Sequence, residues 1–248
     1  MHRLLVDTAL LAEDAPTLPA DATRHLRVVR PRAGEEVELF DGKGRWRVYR
    51  HGVAPGGKSP SPLLALDSAI RTIEQPRASL TLFACVTKGS RWDWTIEKAT
   101  ELGATRIVPV ISDRTIVRLP KAERAAKRER WLRVAEDAAR QSDAKWLPEI
   151  AEPVDFRDAL PLVRETTCFI GALTALPSPP LLTAIQTNGD ADKPWATFIG
   201  PEGDFTSEEL SALMQIATPV SFGPTVLRAE TAAIFALSVL AAARGADR

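Results

Sequence analysis

Histidine is scarce in this 248-residue chain: His2, His25 and His51 are the only three, and none follows residue 51. The long remainder therefore lacks the side chain most often used as a general base. A Ser-His-Asp triad has no imidazole there, and no G-x-S-x-G is present. Cysteine is nearly as rare. Cys85 and Cys168 each stand alone in a strand-like apolar run, and no Cys-x-x-Cys exists. That excludes a disulfide framework and a clustered zinc site, and reads as two free, buried thiols in a reducing cytoplasm. Neither glycine signature for nucleotides occurs, so triphosphate and dinucleotide chemistry also drop out. No stretch of eighteen apolar residues is available to span a membrane, and the apolar start meets Asp7 too early for a signal peptide. Internal repeats and low-complexity segments are absent.

Charge sums to zero but is unevenly placed. Residues 1–77 carry twelve Lys or Arg against ten Asp or Glu, 78–145 fourteen against nine, and 146–248 six against thirteen. A basic front and an acidic back are what a chain with one polyanion-facing side would show.

The pattern changes near residues 72–78. Before it come short strands and turns, expected at 3–6, 35–40, 45–53 and 63–73, with one helix at 21–30. Asp41-Gly42-Lys43-Gly44 marks a turn, and residues 55–62 form a Pro/Gly/Ser loop. This predicts a small, mostly β domain over 1–75, with Arg47 and Arg50 facing solvent. From 76 to 248 strands alternate with helices, the mark of α/β organisation. Strands are expected at 79–86, 105–110, 167–170, 196–199 and 219–222. Helices are expected at 92–102, 121–139, from 155, at 180–186, 206–216 and 229–243. Thr206 and Glu209 form a capping box.

Two loops in the second half carry most of the functional signal: Phe198-Ile199-Gly200-Pro201-Glu202-Gly203-Asp204-Phe205 and Phe222-Gly223-Pro224-Thr225-Val226-Leu227-Arg228-Ala229-Glu230-Thr231-Ala232. Each follows an apolar strand and leads into a helix, the position at which open α/β sheets hold ligands. Glycine lets a flat heterocycle approach the main chain. Leu227 offers an apolar face, Glu202 and Glu230 suit a positive ligand centre, and Arg228 suits negative charge developing on a substrate. What remains after the exclusions is a pocket of backbone, carboxylates and one arginine, which suits group transfer from a bound donor.

These loops resemble the 16S ribosomal RNA (uracil-N3)-methyltransferase family, the RsmE family of the SPOUT class. Further blocks support the resemblance: Lys88-Gly89-Ser90-Arg91-Trp92-Asp93-Trp94, Glu97–Gly103, Ser112-Asp113-Arg114 and His25–Arg30. The resemblance implies a PUA-like RNA-binding β-barrel domain over 1–75. It also implies a SPOUT-type α/β parallel-sheet domain over 76–248, with a C-terminal trefoil knot and a cytoplasmic homodimer. The implied reaction carries the methyl of S-adenosylmethionine to N3 of a uridine in 16S (small-subunit) ribosomal RNA, leaving S-adenosylhomocysteine, with no metal and no membrane. Leu173, Gly200, Pro201, Glu202, Gly203, Phe222, Gly223, Leu227, Thr231 and Ala232 would hold the cofactor. Arg228, Glu230 and Glu202 would be catalytic, with the proton acceptor left open between Glu202, Glu230 and water. His25, Arg30, Lys88, Arg91, Arg114 and Arg140 would meet RNA, joined by members of the basic 121–133 run, most of which reads as a solvated helix face. Trp92 and Trp94, two apart, cannot share one helix face, so at least one belongs to core or interface.

The chain departs from that family twice. Asp143-Ala144 stands where Gly-Arg is expected, leaving Arg140 or Lys145 to replace the arginine, and Asp204 stands where a second Gly is usual. An assembly protein of the same fold with weakened activity, or an enzyme acting on transfer RNA, are the alternative readings.

Overall fold

The computed structural model describes residues 1–52, 63–67, 69–75, 79–171, 178–190 and 192–245. It forms two compact units, Met1–Gln75 with Glu136–Leu147, and Pro76–Ala135 with Pro148–Arg248. Among the described residues no helix is long and apolar enough to cross a membrane.

In the first unit β1 (His2–Leu5) runs parallel to β2 (Glu36–Phe40), and β2 pairs antiparallel with β3 (Arg45–His51). β3 also pairs antiparallel with β4 (Leu63–Ala65) and β5 (Arg71–Thr72). The turn between β2 and β3 is held by Asp41, whose Oδ1 accepts from the Lys43 and Arg45 amides at 2.8 and 3.0 Å. Helix α1 (Ala20–Val29) buries Ala22 and Leu26, four residues apart, and Leu26 joins Leu4, Val37, Leu39 and Tyr49 in the core. The strand expected over 63–73 is two short strands, because the chain bends at Leu66 and Asp67. That bend explains a second correction. Arg47 is buried rather than solvent-facing: its guanidinium donates to Asp14 Oδ1 at 2.6 Å, to the Asp67 carbonyl and to the Leu11 carbonyl at 3.1 Å. A charge that gathers this many acceptors is held inside by them.

The 136–147 segment joins this unit through main-chain bonds, Gly44 N to Lys145 O at 2.9 Å and Leu147 N to Gly42 O at 2.9 Å. Beside them lies a cluster of four charges. Glu38, only 2% exposed, pairs with Lys145 and with Arg3, and Asp143 pairs with the same two cations. Lys145 also sits over the Trp46 ring at 4.9 Å.

The second unit is one parallel sheet. Its strands are β6 (Leu80–Cys85), β7 (Arg106–Ile111), β8 (Glu149–Ile150), β9 (Val154–Asp155), β10 (Thr167–Gly171), β11 (Trp195–Ile199) and β12 (Thr218–Val220). The order is β12-β10-β11-β6-β7, with β8 and β9 both on β7. Every residue of β6 and β11 is buried, as strands covered on both faces must be. Alternation along β6 sends Leu80, Leu82 and Ala84 to one core and Phe83 and Cys85 to the other. The first core is closed by α2 (Ser90–Glu101), α5 (Leu181–Asn188) and α7 (Ala229–Gly245), with Trp131 from α3 (Lys121–Ser142). The second is closed by α4 (Phe156–Arg164) and α6 (Ser207–Met214). The chain leaves β12 at the sheet edge, yet α7 returns to pack on β11, β6 and α2.

Candidate active site

Beyond the carboxyl ends of β10, β11 and β12 lies a cavity of about 600 Å³, within the usual range for a small-molecule site. Gly171, Ile199 and Val220, the last residues of those three strands, form its floor. One wall is Gly200-Pro201-Glu202 with Asp204, and the other is Ser221 to Ala229. The two loops singled out in the sequence thus converge on one space. Close packing explains two glycines. A Cβ on Gly171 would fall 2.0 Å from the Phe222 ring, and one on Gly200 would fall 2.9 Å from the Phe205 ring. Gly223 has φ +123°, a conformation that L side chains rarely adopt. Ala232, one turn into α7, adds only a methyl group to the wall. The space suits a flat, largely apolar heterocycle read by main-chain groups.

The first loop is held from outside by the Ser112-Asp113-Arg114 block. Arg114 donates to the Gly203 carbonyl at 3.0 Å and the Phe205 carbonyl at 3.2 Å. The buried Glu209 accepts the Asp113 amide at 2.9 Å through Oε1 and the Thr206 amide at 3.0 Å through Oε2. Thr206 Oγ1 in turn accepts the Glu209 amide at 3.2 Å, which completes the capping box expected there. A third tie comes from α2: Arg91 pairs with Glu202 at 3.2 Å.

An open groove of about 770 Å³ runs between α2 and the start of α7, lined by Arg91, Asp93, Trp94, Glu97, Glu230 and Thr231. Arg228 lines both this groove and the cavity. Its carbonyl accepts the Ala232 amide at 2.8 Å, so the backbone of Arg228 is fixed by the first turn of α7 while its side chain remains exposed. Glu230 is buried, and its Oε2 has no hydrogen-bond partner among the described residues. A buried acceptor without a donor costs free energy in the free protein, and a ligand that supplies a proton there recovers it. Trp94 presents an exposed ring at the groove, whereas Trp92 is 2% exposed and meets Trp131 edge-on at 5.6 Å. Neither cysteine competes as a nucleophile: burial pushes the Cys85 thiol up to about 12 and the fully buried Cys168 thiol up as well.

The structure brings together Gly200, Pro201, Glu202, Phe222, Gly223, Leu227, Arg228 and Ala232 around the cavity, and Arg91, Glu230 and Thr231 around the groove. Gly203 is off the cavity wall, with its carbonyl turned to Arg114. Leu173 lies outside the described residues. Lys88 is exposed just before α2. His25, Arg30 and Arg140 belong to the first unit. There Arg140 pairs with Asp137, and His25 is pushed below 6.5 by partial burial and the nearby Arg140 and His2 charges, against an opposing pull from Asp137. Within the basic 121–133 run, Arg124 pairs with Asp155, Arg130 with Asp93, and Arg128 donates to the Ile150 carbonyl at 2.7 Å. Gly171, Val220 and Ser178 escaped sequence reasoning. The first two are strand-end residues, a signal that needs the strand order to be read.

Comparison with known proteins agrees with this architecture. Residues 74–241 match the model of an RNA methyltransferase domain, and residues 18–59 that of an RNA methyltransferase PUA domain. A ribosomal RNA small subunit methyltransferase E from Synechocystis is 35% identical over 96% of this chain and 76% of its own length. A protein of that name from Mycobacterium tuberculosis is 29% identical over 95% and 88%. Among solved structures, the ribosomal RNA small subunit methyltransferase E of Neisseria gonorrhoeae bound to S-adenosyl methionine superposes with a TM-score of 0.82 at 29% identity, covering 97% of this chain and 96% of that one. A putative methyltransferase from Legionella pneumophila, solved with the bound cofactor SAM, gives 0.79 at 27% identity, covering 97% of each. With two thirds of its length inside that methyltransferase model and a PUA match ahead of it, the chain belongs to the RNA methyltransferase family.

Proposed function

We propose that this protein is an S-adenosylmethionine-dependent methyltransferase acting on N3 of a uridine in 16S ribosomal RNA, working as a cytoplasmic homodimer with a knotted C-terminal crossing. The observation that carries the reading is the convergence of the two loops on one cavity with Arg228 shared between that cavity and the open groove. The cavity wall fits an adenosyl group: main-chain edges from Gly200 to Glu202 and from Ser221 to Leu227, small side chains at Gly171 and Ala232, and apolar faces at Ile199, Val220 and Leu227. When bound, S-adenosylmethionine supplies a methyl group on a positively charged sulfur.

The groove then takes the target base, which has to leave its stack to reach an enclosed site. N3 of uracil lies between two carbonyls and carries a proton that must be removed before its lone pair is free. The guanidinium of Arg228 stabilises the negative charge left on a carbonyl oxygen. The structure favours Glu230 over Glu202 as the acceptor for that proton. Glu202 is engaged by Arg91, whereas Glu230 Oε2 is buried without a partner.

The test uses radiolabelled S-adenosylmethionine with isolated small subunits, naked 16S ribosomal RNA and transfer RNA. Label in the 16S pool, released as 3-methyluridine on digestion, is expected. Label in transfer RNA instead would assign the substrate to the other RNA class. Absence of both label and calorimetric cofactor binding would leave an RNA-binding assembly protein. Asp143-Ala144, the feature that prompted that weaker reading, has a structural account in the ion pairs of Asp143 with Arg3 and Lys145.

A further inference from the structure

We propose that Trp94 is the stacking platform for the target base: its exposed indole holds the flat face of the pyrimidine in the groove, while Arg228 and Glu230 act at the edge of the ring. The proposal rests on the reading of that groove as the base site, and it names the residue that sets the plane of the base. Of the six tryptophans in the chain, Trp94 alone is exposed, at 41%. Helix α2 turns Trp92, Ile96 and Ala99 into the core. Trp94 is two residues from Trp92, about 200° around the helix, and so stands on the outer side, where it lines the groove with Arg228 and Glu230.

The indole is not set in an apolar patch. The other residues of the groove are all polar or charged, Arg91, Asp93, Glu97 and Arg228 among them. The core of a protein interface is depleted of charge around its aromatic anchors, so a subunit face is the poorer fit here. A nucleoside is the better match, because it offers one flat ring with donors and acceptors around its edge. Bases splayed out of a stack are commonly held on aromatic side chains. The groove also carries unmet acceptors. Glu230 Oε2 and Asp93 Oδ1 are both buried without a hydrogen-bond partner among the described residues, although Asp93 pairs with Arg130 through its other oxygen. Uracil offers N3–H to such acceptors, and its ribose offers hydroxyl groups. Arg91 is engaged by Glu202, which leaves Arg228 for a carbonyl oxygen of the base.

Arg228 and Glu230 meet the base only at its edge, so neither fixes its tilt. The lone pair of N3 lies in the plane of the ring, and a tilted base would aim it away from the methyl donor. An indole against the ring face supplies the missing constraint. Stacking tolerates any base, so Trp94 positions the ring and the choice of uracil stays with the groups at its edge.

The test compares the wild-type chain with Trp94→Leu and Trp94→Phe, using isolated small subunits and radiolabelled S-adenosylmethionine. Trp94→Leu should lower kcat/KM by about 5- to 150-fold, the usual loss of one base–aromatic stack, and Trp94→Phe should restore most of it. The product should remain 3-methyluridine in both. Trp94 is off the cavity wall, so calorimetric binding of S-adenosylmethionine should be unchanged in both variants, which also shows that they fold. Tryptophan fluorescence gives a readout without turnover: polyuridylic acid should quench the emission of the wild type and not that of Trp94→Phe. A wild-type kcat/KM in Trp94→Leu overturns the proposal. So does a Trp94→Leu protein that sediments as a monomer where the wild type is a dimer, which would make Trp94 a subunit contact. Quenching in a protein that methylates no RNA would support the platform while sinking the enzyme reading. Methyl transfer with unquenched emission would do the reverse.

Discussion

Asp143 and Asp204, two of the three residues that break the family pattern, share one backbone property. Their φ angles are +64° and +57°, in the left-handed region. Asp is among the few residues other than glycine that adopt it at modest cost, so each replacement keeps the turn a glycine would make. Each also gains a contact: Asp204 Oδ1 accepts the Phe205 amide at 2.8 Å, and Asp143 joins the charge cluster. What disappears is the arginine expected at Ala144, and neither suggested substitute is free, since Arg140 pairs with Asp137 and Lys145 with Glu38. Arg228 is different, being exposed and bordering both cavity and groove. Arg228→Ala should lower kcat by about 10²–10³-fold, the usual loss of a donor to developing negative charge, while calorimetry finds the affinity for S-adenosylmethionine nearly unchanged. Equal losses in both quantities would make Arg228 a cofactor-binding residue.

At the scale of single elements, α6 shows how a local signal takes on a wider role. The Thr206/Glu209 capping box was readable from its spacing. Its second use was not, because Glu209 also accepts the amide of Asp113, ninety-six residues away. Thr206→Ala should cost about 1 kcal/mol, the ordinary loss of an N-cap. Glu209→Ala should cost about 2 kcal/mol or more, since it also leaves the Asp113 amide without its acceptor. Urea unfolding of both variants checks this, and equal costs would mean that the link to Asp113 contributes nothing. Helix α2 makes a similar point: its i, i+2 tryptophans had to diverge, and one fills the core against Trp131 while the other lines the groove.

At the scale of the whole chain, the first unit is closed by a segment that follows sixty residues of other structure. Glu136–Leu147 returns to it, and Lys145 and Asp143 meet Glu38 and Arg3. Removing one partner of a buried pair leaves a charge without compensation, so Glu38→Ala should destabilise the protein by about 3 kcal/mol. Asp143→Asn, at a half-exposed site, should cost under about 1 kcal/mol. Denaturant titration of both variants distinguishes them, and equal small losses would show that the cluster is only a surface network.

Strand and helix rhythm, turn chemistry and the two Gly-Pro loops are local properties, so the order of elements and the identity of the cavity walls could be read from residues 198–205 and 222–232 directly. Long-range contact is not written in local pattern. Arg47 looked like any polar strand residue until Asp14 and the Asp67 carbonyl were placed around it. Arg114 was expected to meet RNA, and its bonds to the Gly203 and Phe205 carbonyls, like that of the Asp113 amide to Glu209, join residues about ninety positions apart that no local pattern pairs. By itself the sequence determined which residues bend, cap and bury. Only the tertiary structure decided which strand ends share a floor and which charges find partners, because both depend on strand order and on encounters between residues far apart in the chain.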